Sequence, residues 1–170
     1  MTVEEAIKTA IEYETKVRDL YNEALSKATD PDGKRIFSLM ASEEQHHLDY
    51  LYAKLAKWQA SGELTIEGLR TALPSRKRIE EGAKAMQAQV SKRDYGEEIN
   101  MLEEALEAEK VTSAFYRKMV SELAGEAQKM FAHFVEIEEG HLALVQAELD
   151  SVGRMSYWFG LREFDLYGDK

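Results

Sequence analysis

Apolar residues recur along most of this chain at alternating intervals of three and four, the spacing that places them on one face of an α-helix. Four separate stretches carry such a stripe. Their apolar positions are Val3, Ile7, Ala10, Val17, Tyr21 and Ala24; Phe37, Met40, Leu51, Leu55 and Trp58; Leu102, Ala105, Met119 and Leu123; and Phe131, Phe134, Val145, Leu149 and Val152. The pattern predicts an all-α chain in which four long helices pack their apolar faces into one core.

Each stripe is interrupted by ionisable residues at core positions. These are Glu14 in the first stripe, Glu44 and His47 in the second, Glu109 in the third, and Glu138 and His141 in the fourth. Residues three apart lie one turn apart on a helix face, so each Glu-x-x-His pair can direct a carboxylate and an imidazole at one point.

Four carboxylates facing one core need counter-charges, because burying unpaired charge costs several kcal/mol per ion. Two divalent cations supply them. The alternative is a polar interior held by salt bridges, but no Lys or Arg occupies any of the four stripes. The pattern therefore favours a site for two metal ions.

The two halves of the chain repeat one another. The pattern Phe-x6-Glu-x2-His-Leu begins at Phe37 and again at Phe131, 94 residues later. The helix before each copy carries a glutamate with a tyrosine seven residues on, which gives the pairs Glu14 with Tyr21 and Glu109 with Tyr116. The repeat predicts a tandem duplication of a helical hairpin.

Tyr21 and Tyr116 are either plain core aromatics or partners of the ligands. A buried tyrosine hydroxyl needs a hydrogen-bond partner, and the nearest acceptors are expected to be ligand carboxylates on neighbouring helices.

Turn and capping signals divide the chain. The predicted helices run over about 3–28, 31–60, 94–124 and 126–152; Thr2 with Glu5 forms a capping box for the first, and Pro31 suits the start of the second. The short hairpin turns make the first and second helices antiparallel neighbours, and likewise the third and fourth.

The segment 61–93 is long enough to cross the bundle from end to end, so the second and third helices can run parallel. Ser75 is a cap for a short helix within it that reaches about Val90. We expect one domain, in which residues 1–152 form the bundle. Residues 153–170 form an apolar extension that packs on the bundle or on a partner subunit.

Other acidic residues and histidines are read as solvent-facing. Glu43 with His46 forms a third Glu-x-x-His, but it lies about 100° from the core face of its helix and is predicted to be at the surface. His133 is expected to face solvent or an oligomer contact. The simplest interpretation of Glu12, Glu107 and Glu139 is a set of solvated charges.

The composition of the chain limits the classes of partner and cofactor that it can bind. The 170 residues carry a net charge of −10, which argues against nucleic acid. There is no cysteine, which excludes disulfides, zinc ribbons, iron–sulfur centres and a rubredoxin-type iron site. The N-terminus lacks the features of a signal peptide, and no apolar run of about 20 residues predicts a membrane span. A cytoplasmic protein without a membrane partner is expected.

With its paired glutamates and Glu-x-x-His motifs, the chain resembles the ferritin-like, rubrerythrin-type dimetal carboxylate proteins over about residues 3–152. The resemblance implies a four-helix bundle that holds two iron ions, with manganese or zinc possible in place of iron. It implies that Glu44 and Glu138 bridge the metals and that Glu14 and Glu109 each bind one. His47 and His141 would be the terminal nitrogen ligands.

The resemblance also implies a function. The expected activity is reduction of hydrogen peroxide or dioxygen, and a homodimer is expected. The chain lacks the four-cysteine domain of full-length rubrerythrins, so electrons must come from an external donor such as rubredoxin. It also lacks their additional glutamate beside the third-helix ligand, where Ala105, Leu106, Thr112 and Ser113 stand instead. Two alternatives stay open: iron handling by a ferroxidase, and a structural dimetal site in an interaction protein.

Overall fold

The structure is a computed structural model that describes residues 1–85, 95–155 and 158. The described residues form five helices and no strand: α1 (Val3–Lys27), α2 (Pro31–Ser61), α3 (Arg76–Ala85), α4 (Gly96–Glu122) and α5 (Gly125–Met155). The predicted all-α fold with four long helices is confirmed. Among these described helices, none combines the length and apolarity that crossing a bilayer requires.

Side-chain caps fix the first two helices where the sequence predicts them. The Thr2 hydroxyl accepts a hydrogen bond from the Glu5 N–H, and the Glu5 carboxylate accepts one from the Thr2 N–H, which completes the capping box. The Asp30 carboxylate caps α2, which has Pro31 in its first turn. Gly62 ends α2 at a φ of 68°, in the left-handed region where a side chain would be strained.

The remaining boundaries lie close to the predicted ones. Gly125, with a φ of 63°, makes the tight turn between α4 and α5. The last helix runs to Met155, slightly past the predicted end near Val152. The predicted continuation of α3 to Val90 and the predicted start of α4 at Asp94 fall outside the described residues. So does most of the predicted C-terminal extension.

Contacts between the helices establish their directions. Gln59 near the end of α2 donates to Glu4 at the start of α1, so these helices are antiparallel. Tyr21 on α1 donates to Glu109 on α4, whereas Tyr116 on α4 donates to Glu14, so α1 and α4 are also antiparallel. It follows that α2 and α4 run parallel and that the segment between them crosses the length of the bundle, as predicted.

Two apolar clusters fill the bundle, one toward each end. The Phe37 cluster includes Val17, Tyr21, Phe37, Met40, Leu102 and Val145. The Phe131 cluster includes Ile7, Leu48, Leu51, Tyr116, Phe131 and Phe134. The six predicted metal ligands, which come from all four long helices, lie between the two clusters.

The crossover segment passes this polar layer on the side of α2 and α5. Leu64 and Leu69 join the Phe131 cluster, whereas Leu73 and Ile79 join the Phe37 cluster. Between these anchors Ala72 donates to Glu43 of α2 and the carbonyl of Pro74 lies against Gly140 of α5, and α3 then packs on α5. The crossover therefore covers one edge of the bundle at the level of the ionisable side chains.

Candidate metal centre

The structure brings the six predicted ligands together in the polar layer. They are Glu14, Glu44, His47, Glu109, Glu138 and His141, and each is fully buried. Each long helix contributes because its ionisable residues continue its apolar stripe, and the two apolar clusters close the layer above and below. The layer is therefore a compact set of four carboxyl groups and two imidazoles shut off from solvent.

The His47 ring directs its Nδ1 atom at three carboxylates. This atom lies 3.2 Å from Glu44 Oε2, 3.3 Å from Glu14 Oε2 and 3.6 Å from Glu138 Oε1. Its Nδ1 atom therefore points to the centre of the cluster.

The His141 ring has the same arrangement in the other half. Its Nδ1 atom lies 2.9 Å from Glu44 Oε1, 3.7 Å from Glu109 Oε1 and 3.8 Å from Glu138 Oε1. The two imidazole rings are stacked with centroids 5.1 Å apart. Glu44 and Glu138 thus face both imidazoles, whereas Glu14 faces only His47 and Glu109 faces only His141 among these ion-pair contacts.

Three overlapping groups of described side chains could each hold a metal ion: Glu43 with His47 and His141, and two groups that consist only of the predicted ligands. Of these last two, one consists of Glu14, Glu44, His47 and Glu138, and the other of Glu44, Glu109 and His141; the ligand atoms in each lie within 4.8 Å of one another. Glu44 belongs to both. A carboxylate shared by two groups is the arrangement that two neighbouring metal ions require of a bridge.

Both tyrosines of the repeat donate hydrogen bonds into the cluster. The Tyr21 hydroxyl lies 2.5 Å from Glu109 Oε1, and the Tyr116 hydroxyl donates to Glu14 Oε1. Each bond runs from one half of the duplicated sequence to the other. Each tyrosine therefore holds a carboxylate that faces only one of the two imidazoles, and these are the acceptors that the sequence analysis expected.

Burial and neighbouring charges separate the carboxyl groups into two kinds. Burial raises the pKa of Glu44 to about 8, and the charges of Glu14 and Glu109 add to the effect. Burial also raises the pKa of Glu138 well above its usual range. Burial acts the same way on Glu14, but His47 and the Tyr116 hydroxyl outweigh it and lower that pKa to about 2. Burial would also raise the pKa of Glu109, but the contact with His141 outweighs it and lowers that pKa.

The imidazoles are drawn toward the charged form. Burial disfavours the His47 cation, but Glu14 and Glu44 outweigh it and raise the pKa to about 10. The pKa of His141 is likewise raised well above its usual range, against burial, chiefly by Glu44 and Glu138. These shifts favour a metal-free state in which both imidazoles are protonated, Glu14 and Glu109 are ionised, and Glu44 and Glu138 hold protons. The two histidines thus supply positive charge to a core whose stripes contain no Lys or Arg.

Internal pairing nevertheless leaves many polar atoms of the cluster unsatisfied. Within the described part of the chain, eight buried atoms of the site have no hydrogen-bond partner: both carboxylate oxygens of Glu44 and of Glu138, Oε2 of Glu109, Nε2 of His47, and both ring nitrogens of His141. Unsatisfied buried polar atoms are rare in folded proteins and call for an explanation. Carboxylate oxygens and imidazole nitrogens converging on one point suit transition-metal ions such as iron or manganese, so the donor set fits a dimetal centre.

Glu43 is a buried residue of the site that the sequence analysis missed. The prediction that it lies at the surface is wrong, since only 2% of it is exposed. Its carboxylate accepts hydrogen bonds from the Thr71 hydroxyl at 2.5 Å and the Ala72 N–H at 2.9 Å, and its Oε2 lies 3.6 Å from Nε2 of His141. These contacts outweigh burial and lower its pKa to about 2. The crossover causes this burial, and a helical wheel of α2 alone carries no signal for it.

The remaining surface assignments agree with the structure. His46, Glu12 and Glu107 are exposed, and His133 is half-buried. Glu139 is half-buried at the surface, where it pairs with Arg117 at 3.3 Å. None of these residues belongs to the metal-binding groups found in the described part of the chain.

Comparison with known proteins agrees with this geometry. A family model described as rubrerythrin matches residues 5–149, which include all six predicted ligands and both tyrosines. No curated protein and no solved structure matched the chain.

Proposed function

Since the chain belongs to the rubrerythrin family, we propose that it is a non-haem diiron oxidoreductase that reduces hydrogen peroxide or dioxygen with electrons from an external carrier. Proteins of this family bind a diiron site in a ferritin-like helical bundle. The observation that carries the proposal is the pair of overlapping, fully buried carboxylate and imidazole groups that share Glu44.

The contacts support a division of labour among the six ligands. Glu44 and Glu138 face both imidazoles, which supports bridging roles. Glu14 would complete the group with His47, and Glu109 would complete the group with His141. Iron is the proposed metal, and manganese or zinc could occupy the same donor set.

Two bound iron ions would supply two electrons, which with two protons convert hydrogen peroxide to two molecules of water. The residues of the chain do the rest. Tyr21 and Tyr116 orient the carboxylates of Glu109 and Glu14, and the flanking apolar clusters exclude bulk water. Exclusion of water strengthens the electrostatic interactions among the remaining polar groups.

We propose that the electrons come from outside these 170 residues, because they contain no cysteine to hold a rubredoxin-type iron centre. Rubredoxin is the proposed donor. We also propose that the protein acts in the cytoplasm and forms a homodimer, which light scattering coupled to size-exclusion chromatography would test.

The activity can be tested in two steps. Protein reconstituted anaerobically with Fe(II) is mixed with hydrogen peroxide in a stopped-flow spectrometer, and oxidation of the iron is expected. Steady consumption of peroxide is then followed by NAD(P)H oxidation, which should require both rubredoxin and its reductase. Glu14→Gln should impair the first step, whereas Glu12→Gln, a change at the exposed neighbour, should not.

One observation favours a second candidate. The additional glutamate of rubrerythrins is missing at Ala105, Leu106, Thr112 and Ser113, so iron handling by oxidation of Fe(II) without peroxide turnover also fits the site. Rapid oxidation without reductase-linked turnover would support that function. A site inert to both peroxide and dioxygen would refute both redox functions and leave a structural dimetal site.

A further inference from the structure

The two halves of the site differ outside the ligand set. Positions in α2 and α5 correspond at an offset of 94, so the residue equivalent to Glu43 is Ile137. Glu43 offers its carboxylate to Nε2 of His141, whereas Ile137 is a buried apolar side chain. Among the described residues, neither Nε2 atom has a hydrogen-bond partner. Glu43 lies within 4.8 Å of nitrogens of both imidazoles, but its ion-pair contact, at 3.6 Å, is with His141. The two halves of the repeat therefore differ in what surrounds the Nε2 atoms of His47 and His141.

The crossover determines where the Glu43 carboxylate points. The Thr71 hydroxyl donates to one of its oxygens and the Ala72 N–H donates to the other, while Thr71 also accepts from the Leu73 N–H. The oxygen bound by Thr71 is Oε2, the same atom that faces His141. Both oxygens of the carboxylate are thus held by the crossover, and it cannot rotate without losing two hydrogen bonds.

The ring of His141 has a polar neighbour on each side. Its Nδ1 faces the carboxylates of the proposed metal centre, and its Nε2 faces Glu43 at 3.6 Å, slightly longer than a hydrogen bond. A carboxylate acceptor at Nε2 favours the tautomer with its proton on that atom, which leaves Nδ1 as the metal-binding nitrogen. Such carboxylate partners orient a histidine ligand and raise its basicity, and their loss typically lowers metal affinity about 10- to 100-fold.

We propose that Glu43, clamped by Thr71 and Ala72, is a positioning residue for His141 rather than for His47, and that it makes the two metal positions of the duplicated site inequivalent. The inference rests on the proposed metal-binding function. The position that includes His141 binds a divalent ion more tightly than the position that includes His47. The crossover segment therefore contributes directly to metal binding as well as connecting the two hairpins.

Metal titration of the full chain tests the inequivalence. Zn(II) is added in competition with a chromophoric chelator, so that the two binding steps are resolved. The wild-type protein should bind two ions with affinities that differ about 10-fold or more. Glu43→Gln, which keeps the volume and an acceptor for Ala72, should weaken the tighter step about 10- to 100-fold and leave the weaker step unchanged. Ile137→Val, the matched change in the other half, should alter neither step.

A second readout separates positioning from a general loss of structure. In the zinc-loaded protein, nitrogen-15 NMR of the imidazoles should show a slowly exchanging proton on Nε2 of His141 and a faster one on Nε2 of His47. Glu43→Gln should abolish the difference. Thr71→Val removes one donor to Glu43 while keeping the carboxylate, so it should weaken the same binding step by a smaller factor.

The outcomes are distinct. Equal weakening of both steps by Glu43→Gln, or no change in either, would overturn the inference while leaving the metal site intact. Failure of the wild-type chain to bind two ions would instead refute the proposed function. If Glu43→Gln does not fold, a Thr71→Val protein with unchanged affinities and an unchanged His141 signal would overturn the inference.

Discussion

Metal binding to this site should release about four protons per chain at pH 7. Four of its groups hold a proton without metal: Glu44, Glu138, His47 and His141. With a pKa of about 8, Glu44 is about nine-tenths protonated at pH 7, and His47, at about 10, is fully protonated. Two divalent ions would replace these protons without changing the net charge of the cluster.

The number of protons released distinguishes this cluster from a set of ligands with unshifted pKa values. Glutamates with a pKa of 4.5 would release no protons at pH 7, and two histidines with a pKa of 6.5 would together release about half a proton. A release of about four protons also means that the logarithm of the overall binding constant rises by about four for each pH unit near neutrality.

Calorimetric titration with Mn(II) or Zn(II) measures the release. Runs at pH 7 in phosphate and in Tris, whose ionisation enthalpies differ, give the proton count from the difference in observed heat. Glu44→Gln should release about one proton fewer, and the exposed control Glu12→Gln should behave as wild type. Release of fewer than about one proton by the wild-type chain would refute the assignment of protonated carboxyl groups to the buried cluster.

Further predictions concern the pH dependence of stability, the loss of single ligands and the packing of Trp158. The pKa values of Glu44 and His47 are raised in the metal-free fold, so protonation of these groups stabilises it and that stabilisation is lost as pH rises. The loss occurs between about pH 4.5 and 8 for Glu44 and between about pH 6.5 and 10 for His47. The gap in Tm between metal-loaded and metal-free protein should therefore narrow from pH 8 to about 5.5 in calorimetric scans; a constant gap would contradict this. Glu44→Ala should disturb both metals and His47→Ala mainly one, as measured by elemental analysis, and equal loss of a single metal in both would rule out the bridge. Gly33→Ala places a Cβ 2.6 Å from the Trp158 ring, so it should displace that ring and shift its fluorescence to the red in a Trp58→Phe background, whereas unchanged emission would mean that the ring is not packed there.

Local periodicity explains why the sequence predicts the core of the site so well. Whether a helical side chain faces the core of the bundle depends on its position relative to the apolar residues within two turns of it on the same helix. Glu14 and Glu109 continue the stripes of α1 and α4, so their burial follows from the sequence of one helix. The duplicated Glu-x6-Tyr spacing likewise places Tyr21 and Tyr116 on the core face, but it leaves open whether they are plain core aromatics or partners of the ligands, and the packing of α1 against α4 decides this.

Glu43 could not be predicted in this way because its burial depends on a distant part of the chain. It stands about 100° from the core face of α2, a direction that is normally solvated in a four-helix bundle. Thr71, 28 residues further along, covers it. Which edge a long connection covers depends on the packing of Leu64, Leu69 and Leu73 into the two apolar clusters, which the spacing of residues in a single helix does not encode.

The topology of the fold explains why the crossover segment packs over only one half of the site. Duplication of a helical hairpin produces two equivalent halves, but joining them requires a single connection, and a single connection has no counterpart in the other half. Here the connection passes along the edge formed by α2 and α5, where it buries Glu43 beside His141. At the equivalent position Ile137 belongs to the Phe131 cluster. The asymmetry therefore arises where two identical ligand sets must be linked in one chain, and metal affinities that differ between the halves are its expected consequence.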